Sequence, residues 1–145
     1  MFENDLQKYK IKGSFTFKAH ESLQEKCNAP TDCSGVYLIY KITDSEEKLI
    51  YIGSSGQKID GKLKTRKSGL GGMKDRIVNG YHPKFGKVQR KNAFPAQMKI
   101  ENIPELKICW WVTYDKENFD FPIDVETILR EKYFSEYGSL LYWHK

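Results

Sequence analysis

The sequence has few cysteines, no long apolar run and no recognisable targeting segment. Its three cysteines are odd in number and lack the paired spacing of a zinc site, so a disulfide framework and a structural zinc are not expected. No stretch of about 18 apolar residues occurs, which argues against a transmembrane helix. The polar start lacks the basic and apolar regions of a secretory signal. Together these features predict a cytoplasmic location.

Acidic residues are scarce in the middle of the chain, although the net charge is only +5. Residues 56–92 contain eleven Lys or Arg against two Asp, whereas residues 101–126 contain seven acids against two Lys. Clustered positive charge suits a polyphosphate partner such as a nucleic acid, and a solvated surface is the alternative interpretation. No basic amphipathic helix with a clean apolar face stands out, which disfavours a membrane surface.

Hydrophobic alternation predicts three strands. It runs through residues 36–42 and, most clearly, through residues 106–114, and the apolar run at residues 48–53 supplies the strand between them. A helix is predicted at residues 70–79, and a second begins at Pro122 with Val125, Ile128, Leu129 and Tyr133 as its buried stripe. We therefore predict an α+β fold with a three-stranded antiparallel sheet flanked by helices.

The segments outside these elements are assigned from composition. Residues 54–69 are polar and Lys-rich, which indicates an exposed loop, and the prolines at 83, 95 and 104 indicate an irregular stretch. Phe15 and Phe17 alternate with polar residues, which fits a short strand. We expect residues 1–33 to form a short N-terminal extension and residues 34–145 to form the main domain.

Two tripeptides carry most of the functional information. Gly35-Val36-Tyr37 and Tyr51-Ile52-Gly53 each lie in an apolar run, with a polar turn between them. A hairpin that pairs odd with odd residues brings Tyr37, Ile39, Leu49 and Tyr51 to one face of the sheet, whereas the opposite parity separates the two tyrosines. We predict the shared face because chemistry that uses both hydroxyls needs it. The pair resembles the signature of the GIY-YIG nuclease family, with Val36 in place of the usual Ile. The resemblance covers about residues 34–145 and implies the predicted sheet and metal-dependent phosphodiester hydrolysis.

Phosphodiester hydrolysis needs an aligned water and a cation on the phosphate. Tyr37 and Tyr51 are candidates to position or deprotonate that water, although tyrosine is also common in ordinary strands. Arg76 is the candidate for the scissile phosphate because a guanidinium matches phosphate oxygens in two places. The segment around Arg76 resembles the arginine helix of the family, and Arg66 in the preceding loop is a weaker rival.

Glu126 is the candidate metal ligand. It neighbours the apolar stripe of the last helix, where a carboxylate is unfavourable without a compensating cation. A hard oxygen ligand suits Mg²⁺, or Mn²⁺, and a Glu in a C-terminal helix has this role in the resembled family. The alternative is a Glu stabilised by the helix dipole in the first turn.

Further site residues follow from the resemblance with less definition. Family members of the restriction type often carry a His or Tyr one turn after the catalytic Arg. Here Gly80 occupies that position, and Tyr81 is preferred over His82 as the replacement. His144 stands where an Asn is usual near the chain end. A lysine near the water is common in relatives, and Lys62 or Lys64 fits. The predicted DNA-binding residues are Lys58, Lys62, Lys64, Arg66, Lys67 and Lys74.

The leading functional hypothesis is a magnesium-dependent DNA endonuclease of the restriction type, working as a homodimer if both strands are cut. A repair or recombination nuclease acting on branched DNA is a second hypothesis. A non-catalytic nucleic-acid-binding module with the same fold is a third, favoured by the departures at Gly80 and His144. A structural domain without nucleic-acid affinity is a fourth, and strong salt dependence of DNA binding would eliminate it.

Overall fold

A computed structural model describes all residues of the chain, 1–145, and consists of a main sheet, a small hairpin and five helices. The strands are β1 (Lys12–Phe17), β2 (Ser34–Thr43), β3 (Glu46–Ser55), β4 (Gln57–Ile59), β5 (Lys62–Lys64) and β6 (Glu105–Tyr114). The helices are α1 (Glu3–Leu6), α2 (Leu23–Lys26), α3 (Gly72–Asn79), α4 (Arg90–Glu101) and α5 (Pro122–Tyr137). Two 3-10 turns cover Pro83–Phe85 and Tyr142–His144.

The main sheet has four antiparallel strands in the order β1-β6-β2-β3, so the prediction of three strands needs correction. The added strand is β1, which pairs with β6 along its whole length. It joins the sheet because Phe15 and Phe17 alternate with polar residues and bury their rings in the core beneath. The α+β class is confirmed, while the division of the chain at residue 33 stays a prediction.

The β2-β3 hairpin has the shared register that the two tripeptides require. Tyr37 lies opposite Gly53 and Ile39 lies opposite Tyr51, so both tyrosines project from one face. A bulge follows, because the next pair is Tyr40 with Leu49. Ile50 is the extra residue, and it sends Leu49 to the opposite face from the one predicted.

The two faces of the sheet bury separate clusters. The tyrosine face, which carries Tyr37, Ile39 and Tyr51, packs against α2, α3 and α4. The aliphatic face, which carries Val36, Leu38 and Ile52, packs against α1 and α5. Since β3 is the last strand in the sheet order, helices from both faces meet beside its free edge. This edge is therefore where side chains from opposite layers come together.

The two predicted helices are confirmed as α3 and α5, with one error in the stripe of α5. Ile128 is 54% exposed, whereas Val125 and Leu129 are buried. The sixteen residues of α5 begin at Pro122, whose missing N–H costs nothing in a first turn. No helix of the structure has the length and apolar character needed to cross a membrane.

Two stretches without predicted structure are in fact ordered elements. Residues 57–64 form the β4-β5 hairpin, whose turn contains Asp60 and Gly61 with positive φ values of 50° and 73°. Helix α4 spans twelve residues despite Pro95 in its interior. Pro95 removes one helical hydrogen bond, but Phe94 and Met98 are buried in the core and offset that loss.

Candidate active site

Two glycines fix the position of the signature tyrosines. A Cβ at Gly53 would lie 2.5 Å from the Tyr37 ring, so the ring rests directly on the bare backbone of the opposite strand. A Cβ at Gly35 would overlap the carbonyl oxygen of Trp111 on β6. The glycines therefore serve close packing within the sheet. The Tyr37 and Tyr51 ring centroids consequently lie 6.3 Å apart on the tyrosine face.

A fully buried arginine, Arg90 of α4, joins the two tyrosines. Its guanidinium donates a hydrogen bond to the Tyr37 hydroxyl and a second, of 3.2 Å, to the carbonyl of Arg76. Its central carbon lies 5.4 Å from the Tyr37 ring centroid and 5.7 Å from that of Tyr51. Nε and Nη2 have no partner, and no carboxylate pairs with Arg90. A buried cation without a counter-ion is costly and marks a site of special chemistry.

Arg90 was missed because α4 was not predicted. Its signal lies in the spacing of residues 90, 93, 94 and 98, the four buried residues of this helix. Such i, i+3, i+4 and i+8 spacing defines one helix face, and an Arg within an otherwise apolar face is an anomaly worth noting. The proline at 95 concealed the pattern.

Tyr51, Arg76 and Glu126 line one cavity of about 490 Å³ at the β3 edge. Tyr51 comes from the sheet, Arg76 from α3 on the tyrosine face and Glu126 from α5 on the aliphatic face. Tyr37 is fully buried behind them and does not line the cavity. The structure thus brings three predicted site residues together. The lining also includes His82, Lys84, Arg130 and His144, and we call this space the catalytic cavity only for the candidate role of its residues.

Burial and nearby charges shift the pKa of Tyr51 in opposite directions. Burial is the main cause that raises the pKa of Tyr51, to about 12, and the neighbouring Tyr37 adds to the rise. The positive charges of Arg90 and Arg76 act in the lowering direction, and Glu126 acts against them. Tyr51 is therefore a neutral phenol at neutral pH, able to donate a hydrogen bond into the catalytic cavity.

The residues after α3 enter the site differently from the prediction. The Tyr81 side chain is 51% exposed and lies outside the catalytic cavity, although its carbonyl accepts a 3.5 Å hydrogen bond from Arg76. His82 turns inward instead and packs on Tyr51, with ring centroids 4.4 Å apart. His82 accepts the backbone N–H of Lys84 at Nδ1, so the chain reverses through a short 3-10 turn.

Both histidines of the site are held neutral. Burial, with the positive charge of Arg90 next, lowers the pKa of His82 to about 3. Burial, with Arg130 next, lowers the pKa of His144 to about 4. His144 stacks on Tyr51 at 4.3 Å and accepts the Ile52 N–H at Nε2, while Nε2 of His82 is buried without a partner. The Tyr51 ring is therefore in contact with two neutral imidazoles.

Glu126 is a single carboxylate in a cationic setting. Its side chain is 13% exposed and bonds Arg130 one helical turn later, at 3.3 Å. No group of three or more His, Cys, Asp or Glu side chains is arranged to hold a metal. One carboxylate beside an open cavity still fits Mg²⁺, which commonly keeps most of its waters and takes one or two protein carboxylates. Arg130 is the cation that a metal at this carboxylate would replace.

The predicted DNA-binding residues divide into two groups. Lys64, Arg66 and Lys67 line a groove of about 620 Å³ that shares Ser54 and Arg76 with the catalytic cavity. We call it the basic groove; no hydrophobic or acidic residue lines it. The other three lie outside both cavities. Lys58 pairs with Asp124 at 3.1 Å, Lys62 is exposed on β5, and Lys74 is half-buried on α3.

Comparison with known proteins gives no assignment, since no protein-family model, curated protein or solved structure matches this chain.

Proposed function

We propose that the protein is a magnesium-dependent endonuclease that hydrolyses DNA phosphodiester bonds, of the restriction type within the GIY-YIG family. The observation that carries this proposal is the convergence of Tyr51, Arg76 and Glu126 on one cavity from three separate elements. These residues were selected from the sequence as water-positioning group, phosphate ligand and metal ligand. The adjoining basic groove offers a path for the rest of the polynucleotide.

Arg76 has the role of binding the scissile phosphate. Its guanidinium is half-buried, lies between the catalytic cavity and the basic groove, and is steadied by the Tyr81 carbonyl. A fixed guanidinium stabilises the charge that develops on phosphate oxygens during attack. A magnesium ion held by Glu126 would add positive charge at the same phosphate.

Tyr51 has the role of orienting the attacking water. It is the signature tyrosine that lines the catalytic cavity, whereas Tyr37 is buried behind it. Because its raised pKa keeps the phenol neutral, Tyr51 holds the water through a hydrogen bond and becomes a base only when more positive charge gathers nearby. Contact with the tilted ring of His82 and stacking on His144 fix the plane of the Tyr51 ring.

Arg90 and Tyr37 position the groups that act. Arg90 ties the Tyr37 hydroxyl to the Arg76 carbonyl, so the end of α3 and the β2-β3 hairpin form one unit. Its uncompensated charge lies near the Tyr51 ring and favours any negative charge that forms on that oxygen. Cleavage of both strands by such a site needs two copies, so a homodimer on DNA is part of the proposal.

The test is cleavage of supercoiled plasmid and genomic DNA with Mg²⁺ or Mn²⁺, and with chelator. Wild type should give metal-dependent fragments, and Arg76→Gln and Glu126→Gln should each lose at least about 100-fold in rate, as when a preorganised charge-stabilising group is removed. Glu131→Gln, an exposed neighbour on α5, is the matched control and should cleave normally. Full activity of Glu126→Gln would refute the metal assignment.

A non-catalytic DNA-binding module is the second candidate function. It is favoured by the ion pair between Glu126 and Arg130, which already supplies the carboxylate with a cation. This candidate predicts DNA binding without cleavage by wild type across several metals and both linear and branched substrates. Under this candidate, Arg130→Met should not cleave DNA either. Under the nuclease proposal, Arg130→Met should still cleave DNA, because the metal would replace Arg130 at Glu126.

A further inference from the structure

The basic groove contains an arginine that is held more firmly than a surface cation. Nε of Arg66 donates to the carboxylate of Asp75, and the Arg66 carbonyl accepts the Gly72 N–H at 2.6 Å. The Arg66 side chain is 33% exposed, and its terminal amino groups have no protein partner. Backbone and side chain are thus both anchored, while the donors at the tip remain free to face the groove.

The anchor, Asp75, is built into the start of α3. It is 1% exposed and accepts two further hydrogen bonds of 2.8 Å, from the Leu70 N–H and from Asn79. Burial raises the pKa of Asp75, but the hydrogen bonds of Asn79, Arg66 and Leu70 outweigh it and the pKa is lowered overall. Asp75 is therefore an ionised carboxylate whose remaining neighbours orient it toward Arg66.

The loop before α3 is shaped around this carboxylate. Gly69 has a φ of +58°, and a Cβ there would overlap a carboxylate oxygen of Asp75. Gly71 and Gly72 also have positive φ values, of 84° and 54°. Three glycines in the left-handed region within four residues are a conformational cost for the folded chain. An ion pair with the partly exposed Arg66 gives little net stability, so stability alone does not explain this construction.

We propose that Arg66, aimed by Asp75, binds a second phosphate of the DNA strand, next to the phosphate bound by Arg76. The inference rests on the proposed function, because it takes the substrate to be a DNA strand running from the catalytic cavity into the basic groove. Arg76 borders both spaces, so the two arginines bind along one continuous path. Lys64 and Lys67 add positive charge to the same groove.

The number of consecutive phosphates in the substrate decides which of the two arginines it contacts. A strand with consecutive phosphates engages both arginines, whereas a phosphodiester without a neighbouring phosphate engages only Arg76. Arg66 therefore contributes mainly to binding, and Arg76 mainly to the chemical step. Asp75 acts through Arg66 as a positioning residue and never touches the substrate.

The test is equilibrium binding of a fluorescent DNA duplex at several salt concentrations, with chelator present so that cleavage plays no part. Arg66→Gln should weaken binding about tenfold and lower the salt slope by about one, as expected for one lost phosphate contact. Lys99→Gln, an exposed lysine on α4 outside the groove, is the matched control with the same charge change. Equal behaviour of these two variants would overturn the proposal.

The Asp75→Asn variant tests whether Asp75 affects DNA binding by positioning Arg66 or only through the net charge of the protein. If only net charge mattered, removing an acid would tighten binding to DNA. Loss of the anchor should instead weaken binding several-fold, and tighter binding would overturn the proposal. Arg66→Lys covers the case in which Asp75→Asn does not fold, because it keeps the charge but loses the planar fork. It should bind several-fold more weakly than wild type with an unchanged salt slope; wild-type affinity would refute the need for a fork.

The outcomes for this inference and for the proposed function are distinguishable. Arg66-dependent binding without cleavage by wild type would remove the nuclease and leave the phosphate site. Cleavage with no effect of Arg66→Gln on the KM would leave the nuclease and remove the phosphate site. Arg66-dependent binding of an RNA duplex alone would overturn the assignment to DNA.

Discussion

The two faces of the main sheet differ in what they bury. On the aliphatic face Val36, Leu38 and Ile52 contact apolar residues of α1 and α5. On the tyrosine face the same strands cover an arginine without a counter-ion, Arg90, and a histidine, His82, and each has at least one nitrogen atom without a partner. Successive residues of β2 thus point alternately into an apolar cluster and into a cluster that contains buried polar groups. Burial on the aliphatic face stabilises the fold, whereas polar burial on the tyrosine face lowers stability and organises a site.

Truncation on the aliphatic face should give the largest effect on stability. Leu129→Ala removes a fully buried side chain of α5 and should lower the free energy of unfolding by about 2–5 kcal/mol. Ile128→Ala, the exposed neighbour, should change it by less than about 0.5 kcal/mol. Urea unfolding measures both. DNA cleavage per folded molecule should stay unchanged, and a specific loss of activity in folded Leu129→Ala would break the division between the faces.

Replacement of Arg90 should have the opposite effect, with a small change in stability and a large loss of DNA cleavage. Arg90→Met removes a buried charge without a counter-ion while keeping similar volume, but it also removes the donor to the buried Tyr37 hydroxyl. The two effects oppose each other, so stability should stay within about 2 kcal/mol of wild type. Cleavage should fall about 100-fold, because Arg76 and Tyr51 lose their shared support. Lys91→Met is the control on the same helix. Strong destabilisation by Arg90→Met would mean that Arg90 is a structural residue after all.

Gly53→Ala should move Tyr37 without touching the catalytic cavity. The new methyl group would meet the Tyr37 ring at 2.5 Å and push it from Arg90, for an expected loss of about 1–3 kcal/mol. In a Tyr37→Leu background the same change should cost little, since the clash is gone. Thermal unfolding of the four proteins gives the coupling energy. A coupling near zero would contradict the contact.

Lowering the pH should destabilise the protein, because His82 on the tyrosine face is buried in its neutral form. The pKa of His82 is about 3 in the folded protein, against an ordinary value of 6.5. The unfolded chain therefore binds a proton at His82 that the folded protein excludes, so His82 should lower stability by about 1.4 kcal/mol per pH unit between pH 6 and 4. His144, whose pKa is also lowered, to about 4, adds a contribution of its own. His82→Asn keeps an acceptor for the Lys84 N–H and should remove the His82 share of this dependence in urea unfolding. His20→Asn, at an exposed position, should leave the dependence unchanged.

The elements that follow from local patterns were predictable. Alternation gave β2 and β6, the apolar run at residues 48–53 gave β3, and Pro122 marked the start of α5. Parity left two registers open for Tyr37 and Tyr51; the shared face was predicted because the expected chemistry needs it, and the register confirms it. The sequence did not reveal that Gly53 leaves room for the Tyr37 ring.

The rest depended on contacts between distant residues. Helix α4 forms because tertiary burial of Phe94 and Met98 overrides the penalty at Pro95, and local propensity carries no record of that burial. The bulge at Ile50 inverts the face of Leu49, which no alternation pattern can show. The inward turn of His82 in place of Tyr81 depends on the 3-10 turn after α3, so it was equally hidden from periodicity.

The contact between His144 and β3 has a consequence for association between molecules. A free strand edge presents unpaired N–H and C=O groups that a strand of another chain can extend. At the outer edge of this sheet, Nε2 of His144 accepts the Ile52 N–H, and Tyr142–His144 folds against the strand. A side chain here occupies a position that an incoming backbone would need. His144, which stacks on Tyr51, therefore also hinders edge-to-edge association of the sheet with another chain.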